Sequence, residues 1–332
     1  MTVRFGLVYD FRNPERWRQP WPEVFRALLE QIEYADQLGF DSIWITEHHF
    51  AADGYTPSPI PLLAAVAART RRVKLGTDIL LAPLYHALRL AEDAATVDIL
   101  SNGRLMLGLG MGYRDEEFEA FGQSRRERAR RTEETIDVLR GAWGDEPFTY
   151  EGRYYRVRDL VVTPKPVQRP GPPLWLAAAS EPSARRAARH GLHLLPQGDR
   201  TNTYDAWLDE LARLGRHPAE YRIGLIKPWF AADSRDDPVW KEVAEHERYR
   251  WSVYQPWIAA GAYAGTVAGE SRPIDQTYLI GPPARLVEEF HRFREFLPVT
   301  DFIGWGTPAG MEPAKVTPYL ERFAAEVMPH FR

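Results

Sequence analysis

One short run of this sequence carries residues that can do proton chemistry. Residues 45–50 read ITEHHF, so that Glu47, His48 and His49 follow, after Thr46, an apolar run that ends at Ile45. An imidazole changes its charge near neutral pH, which makes histidine a common general acid or base. A carboxylate beside two histidines is also compatible with a metal site. The directions in which these side chains point decide between a proton-transfer site and a metal site.

Those directions follow from the strand that precedes the run. Side chains alternate between the two faces of a strand, and the apolar pair Ile43 and Ile45 is expected to face surrounding helices. The inward positions are then Ser42, Trp44 and Thr46. The same count, continued past the strand end, places His48 inside at the mouth of the site. Glu47 and His49 fall on the helix side.

Small residues occupy inward positions of the next two strands. By the same alternation we expect Ile79 to face outward. The inward positions of the two strands are then Gly76, Asp78, Met106, Gly108 and Gly110. Three glycines near one end favour a cavity for a flat ligand, although small residues also complete the packing layers of barrels. His48, Glu47 and Asp78 come from different faces or strands, so we expect no metal ion.

A helix N-terminus offers a second binding feature. Residues 174–191, LWLAAASEPSARRAARHG, pass from an apolar strand into a helix with Ser180 as N-cap and Ser183 in the first turn. Free N–H groups and the helix dipole suit a phosphate at this end. An ordinary helix cap has the same residues, so this pattern alone leaves both interpretations open.

Strand-like and helical segments alternate along the whole chain. The predicted strands are Val3–Tyr9, Asp41–Thr46, Val73–Leu81, Arg104–Leu109, Leu174–Ala178, Leu192–Leu195, Tyr221–Trp229 and Val299–Gly304. Eight strand–helix units predict an α/β fold of the (β/α)8 TIM-barrel type and disfavour two doubly wound sheets. No shift in composition marks a second domain, so residues 1–332 are predicted to form a single TIM-barrel domain.

Two insertions interrupt the alternation, at about residues 144–173 and 231–281. The first contains Phe148–Val162, which reads as a small antiparallel excursion, and a proline-rich connection. The second is a long segment after the seventh strand, with a helical part and a Gly- and Ala-rich part. Its helical part carries Tyr249, Trp251, Tyr254 and Trp257, which suggest an apolar substrate, the alternative being that most of them belong to the core. Insertions of this length are frequently lids, the alternative being a surface elaboration.

Composition excludes several classes of function. The 332 residues include no cysteine, which excludes disulfides, thiolate nucleophiles, zinc–thiolate sites and iron–sulfur clusters. The net charge of -4 argues against a nucleic-acid binder. The basic run at Arg125–Arg131 is interpreted as a solvated helix face, because acidic residues follow it.

Targeting signals are not evident in the sequence. It has no run of about 18 apolar residues that could span a membrane. The first residues read as a strand and lack the pattern of a signal peptide. We therefore expect a cytoplasmic protein with no membrane partner.

Three stretches together resemble the bacterial luciferase-like family of flavin-dependent monooxygenases. They are DSIWITEHHF at 41–50, VKLGTDILLAPLYHALRLAEDAATVDILSNGRLMLGLGMGYRDEEFEAFG at 73–122 and AAASEPSARRAARHG at 177–191. The resemblance covers most of residues 3–195 and is weaker through the last three strands. It implies a (β/α)8 barrel that binds FMN at its C-terminal mouth, commonly as a homodimer.

The resemblance also implies roles for individual residues. His48 matches the catalytic histidine of the family and Phe50 an aromatic residue of the substrate pocket. A non-proline cis peptide of the family maps to Asp78–Ile79. The implied cofactor-binding residues are Asp78, Ile79, Gly110, Met111, Tyr113, Ala179, Ser180, Ser183 and Ala184, the last four near the phosphate. The chain departs from the family at Met111, where an arginine approaches the flavin, and at Gly110, where a cysteine is found.

These observations predict a two-component FMN-dependent monooxygenase. Reduced FMN would come from a separate flavin reductase, because no G-x-G-x-x-G fingerprint for a nicotinamide cofactor follows a strand. Dioxygen and a small, apolar organic molecule would be the substrates, with His48 assisting proton transfer. Two alternatives remain at this stage: a dehydrogenase or reductase that uses the deazaflavin F420, and a non-catalytic flavin-binding subunit.

Overall fold

The secondary structure follows the predicted alternation of strands and helices. The structure is a computed structural model that describes residues 2–197, 201–259 and 277–332. Its strands are β1 (Arg4–Tyr9), β2 (Ser42–Ile45), β3 (Lys74–Thr77), β4 (Leu80–Leu81), β5 (Leu105–Gly110), β6 (Phe148–Glu151), β7 (Arg156–Leu160), β8 (Leu174–Ala178), β9 (His193–Pro196), β10 (Gly224–Ile226), β11 (Trp229–Phe230), β12 (Leu279–Ile280) and β13 (Asp301–Trp305). Its α-helices are α1 (Trp21–Leu38), α2 (Pro59–Arg69), α3 (Ala87–Leu100), α4 (Asp115–Ala120), α5 (Arg128–Trp143), α6 (Glu181–Arg189), α7 (Thr201–Arg213), α8 (Pro238–Ala259), α9 (Pro283–Phe296) and α10 (Pro313–Glu326).

Eight of the strands form a parallel barrel. They pair in the order β10, β13, β1, β2, β3, β5, β8 and β9. An isolated parallel bridge between Leu194 and Ile223 joins the two ends of this path. The predicted (β/α)8 TIM-barrel fold is therefore confirmed, and the parallel strands bring all their C-terminal ends to one face.

The two faces of each strand pack as the alternation predicts. Ile43 and Ile45 belong to the large core cluster between the barrel and its helices. Trp44 belongs to the smaller cluster inside the barrel, with Met106 and Trp175 among its members. The predicted directions of the β2 side chains are thus confirmed.

The prediction of a cavity at the inward glycines is wrong. A side chain at Gly76, Gly108 or Gly110 would overlap atoms of Trp44, Thr77 and Ile79, respectively. The space that the missing side chains leave is filled by neighbouring groups, because protein interiors are close-packed. These glycines therefore complete the packing of the barrel, and the open pocket lies nearer its mouth.

The third predicted strand, Val73–Leu81, is interrupted in the structure. β3 ends at Thr77 and β4 begins at Leu80, with a cis peptide bond between Asp78 and Ile79 as the family resemblance implies. Ile79 packs against the cluster inside the barrel, so the outward direction that we expected for it is wrong. The two-residue period of side chains does not hold beyond the end of the strand.

Both predicted insertions are present. β6 and β7 form the antiparallel excursion of the first insertion. In the second, α8 is the predicted helix, whereas the Gly- and Ala-rich part lies at 260–276, outside the described residues. The lid and the single-domain organisation over 1–332 stay predictions. None of the described helices is long and apolar enough to cross a membrane.

Candidate active site

A pocket opens at the C-terminal ends of the barrel strands. Its walls come from the segments that follow β2, β3, β5, β8 and β9, together with residues of α5, α6, α8, β10 and β13. The cavity has a volume of about 220 Å³, which is much more than a few water molecules occupy. Active sites of (β/α)8 barrels lie at this face, so the pocket is the candidate active site.

His48 forms part of the pocket wall and is held on both sides of its ring. Its Nδ1 lies 2.9 Å from Oε1 of Glu117, and its Nε2 lies 3.1 Å from the hydroxyl oxygen of Tyr113. A carboxylate accepts and does not donate, so the neutral ring carries its proton on Nδ1 and donates it to Glu117. The Tyr113 hydroxyl then donates to Nε2, the nitrogen on the side away from Glu117.

Glu117 is ionised in spite of its burial. Burial opposes its charge, but Oε1 accepts hydrogen bonds from His48, from the amide of His49 at 3.0 Å and from Nη1 of Arg114 at 3.1 Å. These donors outweigh the burial and lower the pKa of Glu117. Glu117 is therefore a fixed anion that orients the His48 ring.

Aromatic side chains surround the other faces of His48. The ring of Tyr55 lies edge-on at 4.8 Å between centroids, and that of Trp257 is tilted at 4.9 Å. Tyr254 contributes a third ring, and its hydroxyl oxygen lies 2.5 Å from that of Tyr55. Burial raises the pKa of Tyr55 to about 12, so this hydroxyl stays protonated near neutral pH.

The four aromatic residues that we predicted on α8 divide into two groups. Tyr254 and Trp257 face His48, as described above. Tyr249 instead donates to Asp53 at 2.8 Å, and Trp251 does not line the pocket. Of the two that face His48, Tyr254 lines the pocket, and Trp257 on the same helix face packs against the His48 ring.

Glu47 and His49 support the wall. Glu47 accepts hydrogen bonds from the amide of Leu81 at 2.7 Å and from the hydroxyl of Tyr85 at 2.9 Å. Nε2 of His49 lies 2.8 Å from Oε1 of the same carboxylate. Glu47 nevertheless lines the pocket with part of its surface, so its expected place entirely on the helix side is wrong. Its hydrogen bonds tie the segment after β2 to the segment after β3.

The far end of the pocket meets the N-terminus of α6. Ser180 caps this helix, and the Ser183 hydroxyl accepts from the Ser180 amide at 3.0 Å and donates to the Ser180 carbonyl at 2.7 Å. Both serines line the pocket. The Ser183 hydroxyl is thus engaged within the cap, and the helix end contributes mainly its dipole and the Ser180 hydroxyl.

Arg128 brings a positive charge to the same end of the pocket. It is the first residue of α5 and lines the pocket with Ser180 and Ser183. Burial first, and then repulsion by Arg125 and Arg186, lower its pKa, whereas attraction to the Asp115 carboxylate opposes this shift. An anion at this end would relieve that repulsion.

The basic run at Arg125–Arg131 is therefore only partly a solvated face. Arg125 pairs with Asp115 at 2.5 Å, and Arg130 with Glu134 at 3.3 Å, as surface residues do. Arg128 departs from this pattern because the start of α5 lies against the pocket. The sequence could not separate it from its neighbours.

Asp78 has an unusual environment in this pocket. It is 6% exposed, and its Oδ2 has no hydrogen-bond partner among the described residues. Burial raises its pKa to about 7. An ionised carboxyl without a partner is costly in such a place, so the neutral acid is favoured below that pH.

The structure brings most of the predicted site residues together. The pocket is lined by His48, Asp78, Ile79, Met111, Tyr113, Ala179, Ser180 and Ser183. Gly110 and Ala184 do not line it, and Phe50 is 56% exposed with its ring against Phe121. The predicted roles of all these residues stay predictions. Sequence reasoning did not single out Tyr55, Glu117 or Arg128.

Within the described residues, no group of three or more His, Asp and Glu side chains could hold a metal ion. The neighbouring Glu47 and His49 bond to each other, and His48 bonds to Glu117. The side chains of the ITEHHF segment thus bond to two different carboxylates, and the backbone of His49 links the two.

Most of the chain matches a known protein family. A family model described as luciferase-like monooxygenase matches residues 3–300. Among solved structures, the monooxygenase RslO1 from Streptomyces bottropensis superimposes with a TM-score of 0.82 and 26% identity, over 99% of this chain and 100% of that one.

Two curated relatives point to different cofactors. The oxygenase component of the flavin-dependent trigonelline monooxygenase of Acinetobacter baylyi is 31% identical over 194 residues, 58% of this chain and 53% of that protein. The F420-dependent glucose-6-phosphate dehydrogenase of Kineococcus radiotolerans is 36% identical over 189 residues, 52% of this chain and 55% of that protein. The chain thus spans about half the length of these relatives.

Proposed function

This chain belongs to the luciferase-like monooxygenase family, and on that premise we propose that it is an FMN-dependent monooxygenase acting on a small, largely apolar organic molecule. One observation carries the proposal. His48 lines the barrel-mouth pocket with one ring nitrogen on the Glu117 carboxylate and the other on the Tyr113 hydroxyl. A histidine oriented by a carboxylate is a competent proton donor and acceptor beside a bound substrate.

The residues of the pocket fit a flavin nucleotide. Arg128 and the N-terminus of α6 would hold its phosphate, because both present positive charge at one end of the pocket. The flat ring would lie against Ile79 and Met111, which offer apolar surface. The Oδ2 atom of Asp78, which has no partner in the described part of the chain, would pair with a polar atom of that ring.

In the proposed reaction the cofactor supplies electrons, and the protein moves the proton and excludes water. Reduced FMN, when bound, supplies the two electrons with which dioxygen is split, so that one oxygen atom enters the substrate and the other leaves as water. His48 would move a proton during this reaction, with Glu117 fixing which of its nitrogens faces the pocket. The aromatic rings of Tyr55, Tyr254 and Trp257 would exclude water and contact an apolar substrate.

A separate reductase is part of the proposal. The relative from Acinetobacter baylyi is an oxygenase component, which supports a two-component system in which another protein supplies reduced FMN. A homodimer and a cytoplasmic location stay predictions, and size-exclusion chromatography with light scattering would test the first.

The test combines cofactor binding with product analysis. The purified chain is first titrated with FMN. It is then supplied with a flavin reductase, NADH, dioxygen labelled with the isotope 18O, and a panel of apolar aldehydes, ketones and aromatic acids. We expect saturable FMN binding and one labelled oxygen atom in the product. Absence of label from every product, together with no FMN binding, would contradict the proposal.

An F420-dependent dehydrogenase is the second candidate, favoured by the relative from Kineococcus radiotolerans. F420 carries hydride and does not activate dioxygen, so the two candidates differ in their use of oxygen. Tight binding of F420 without affinity for FMN would select this candidate. A non-catalytic flavin-binding subunit would bind FMN equally well before and after a His48→Ala substitution and would oxidise nothing in either form.

A further inference from the structure

Asp78 carries a carboxyl group that the proposed reaction does not yet use. It follows β3 directly and lines the pocket close to Ile79 and Met111. It is 6% exposed, and its Oδ2 atom is buried without a hydrogen-bond partner in the parts of the chain that the structure describes. Several buried polar atoms of the described residues lack a partner, and among them only Asp78 Oδ2 belongs to a residue that lines this pocket. Because most buried polar atoms are paired, a ligand in the pocket is the natural source of the missing partner.

Among the residues that the structure describes, no neighbouring charge compensates a negative charge on Asp78. The other ionisable side chains that line the pocket are Glu47, His48, Tyr55, Tyr113, Arg128 and Tyr254. The carboxylate of Glu47 is bound to Leu81 and Tyr85, and His48 is bound to Glu117 and Tyr113. Arg128 forms no ion pair with Asp78 and does not contribute to its pKa, which burial alone raises to about 7.

We propose that Asp78 holds a proton in the cofactor site and donates it in a hydrogen bond to an acceptor atom of the bound flavin ring. The inference rests on the proposed function, since it assumes that this pocket binds a flavin. The ring carries nitrogen and carbonyl acceptors along its edge, and a neutral acid is a donor for them. The hydrogen bond would give the orphan carboxyl its missing partner without placing a bare charge in the pocket.

The proposal makes flavin affinity depend on pH in one direction. If the complex retains the proton and the empty site releases it near pH 7, binding must take up a proton at higher pH. The dissociation constant then stays flat below pH 7 and rises about tenfold per pH unit above it, or about thirtyfold between pH 6 and pH 8.5.

The experiment measures FMN binding by fluorescence quenching from pH 6 to pH 8.5 in three proteins: wild type, Asp78→Asn and Asp137→Asn. The asparagine amide also donates but cannot titrate. Asp137 is the matched control, because burial raises its pKa as well but it lies on α5 outside the pocket. Riboflavin serves as a second ligand, since it lacks the phosphate, whose own titration lies near pH 6.

Each outcome has a defined meaning. We expect wild type and Asp137→Asn to lose affinity for FMN and for riboflavin above pH 7, and Asp78→Asn to bind both with little dependence on pH. A flat wild-type profile, or the same slope in wild type and Asp78→Asn, overturns the role of Asp78 while leaving the flavin site intact. Failure of wild type to bind FMN at any pH contradicts the proposed function itself.

A measurement without flavin provides a second readout. The readout is the infrared difference spectrum of wild type minus Asp78→Asn. In it, the band of a protonated carboxyl group should disappear as the pH rises through about 7. Circular dichroism and thermal unfolding of the variant establish that it is folded. A carboxyl that is already ionised at pH 5.5 in this difference spectrum also overturns the proposal, because Asp78 would then have no proton to donate.

Discussion

Nδ1 of His48 and Oε1 of Glu117 lie 2.9 Å apart although 69 positions separate the two residues in the chain. Glu117 lies on α4, and His48 follows β2. The same carboxylate oxygen accepts from the amide of His49 and from Arg114, so that three donors converge on one buried atom. This relationship fixes the tautomer of His48 and leaves Nε2 to the hydroxyl of Tyr113, which also lines the pocket.

Glu117→Gln should therefore lower turnover more than it lowers binding. The amide retains the shape of the side chain but cannot hold three donors on one anionic oxygen, so the His48 ring loses its fixed tautomer. We expect kcat to fall about tenfold to a hundredfold with little change in KM, and the free energy of unfolding to fall by about 1–3 kcal/mol. Steady-state kinetics and urea denaturation measure the two effects.

The matched control for that substitution is Glu116→Gln. Glu116 is the exposed neighbour that bonds to the same arginine, Arg114, at 2.6 Å. Exposed ion pairs contribute little, so kinetics and stability should stay close to wild type. Equal loss of kcat in both variants would mean that the charge near Arg114, and not the bond to His48, matters.

The two adjacent histidines should respond differently to substitution. His48→Asn is expected to reduce substrate oxidation about a hundredfold or more while FMN binding persists, because it removes the group that moves the proton. His49→Asn removes a ring that bonds to Glu47 and does not line the pocket, so its main effect should be on stability. Product formation at saturating FMN compares them. A greater kinetic defect in His49→Asn would contradict the assignment.

Arg128→Gln should discriminate between two flavins. If Arg128 holds the phosphate, the variant loses about tenfold or more in FMN affinity but little in riboflavin affinity, since hydrogen bonds to charged groups contribute about 1.5–3 kcal/mol. Arg126→Gln, an exposed arginine in the same basic run, is the control and should bind both ligands as wild type does. Parallel losses for FMN and riboflavin in Arg128→Gln would contradict the phosphate role. Equilibrium dialysis of wild type and both variants with each ligand measures the six affinities.

Gly110→Ala should disturb the pocket although Gly110 does not line it. The added methyl group would overlap the side chain of Ile79, which does line the pocket, so Ile79 must move. We expect weaker FMN binding and a free energy of unfolding lowered by about 1–3 kcal/mol. Gly144→Ala is the control, because its added methyl group would meet only backbone oxygens at 3.3 Å or beyond. Unchanged FMN affinity in Gly110→Ala would contradict the packing argument.

The stability of the flavin-free protein should depend on Asp78 and pH. Its pKa is about 7 in the folded chain and about 3.9 in an unfolded one, so between these values only the folded state holds the proton. The free energy of unfolding of wild type therefore falls as pH rises from about 4 to 7, by about 4 kcal/mol at most. Asp78→Asn should remove this loss, becoming more stable than wild type at pH 8 but not at pH 4.

Asp36→Asn is the contrasting control for that prediction. Its carboxylate accepts hydrogen bonds from the amides of Arg71, Arg72 and Val73 at 2.7–3.0 Å, so the ionised form has partners. Substitution there should destabilise the protein at pH 8. Urea denaturation of the three proteins at pH 4, 6 and 8 tests both expectations. An Asp78→Asn variant that is less stable than wild type at pH 8 would contradict the account of Asp78.

The sequence predicts the elements of this fold well because their signals are local. The alternation of Ile43 and Ile45 is a property of consecutive residues and correctly places Trp44 inside the barrel. The same rule fails at Ile79, because the strand has ended and the period of two no longer applies. The inward glycines mislead for another reason: whether a small residue leaves a cavity depends on which distant side chain fills it.

The sequence by itself determined the eight strand–helix units and the directions of the β2 side chains, both from short-range periodicity, and the family from its quoted stretches. Only the tertiary structure decided that Glu117 holds His48, that Arg128 leaves the basic run to line the pocket, and that Oδ2 of Asp78 is buried without a partner among the described residues. Each of these depends on closing the barrel, which brings the ends of distant strands to one face. No local pattern encodes which side chains then meet there, because that depends on the packing of the whole chain.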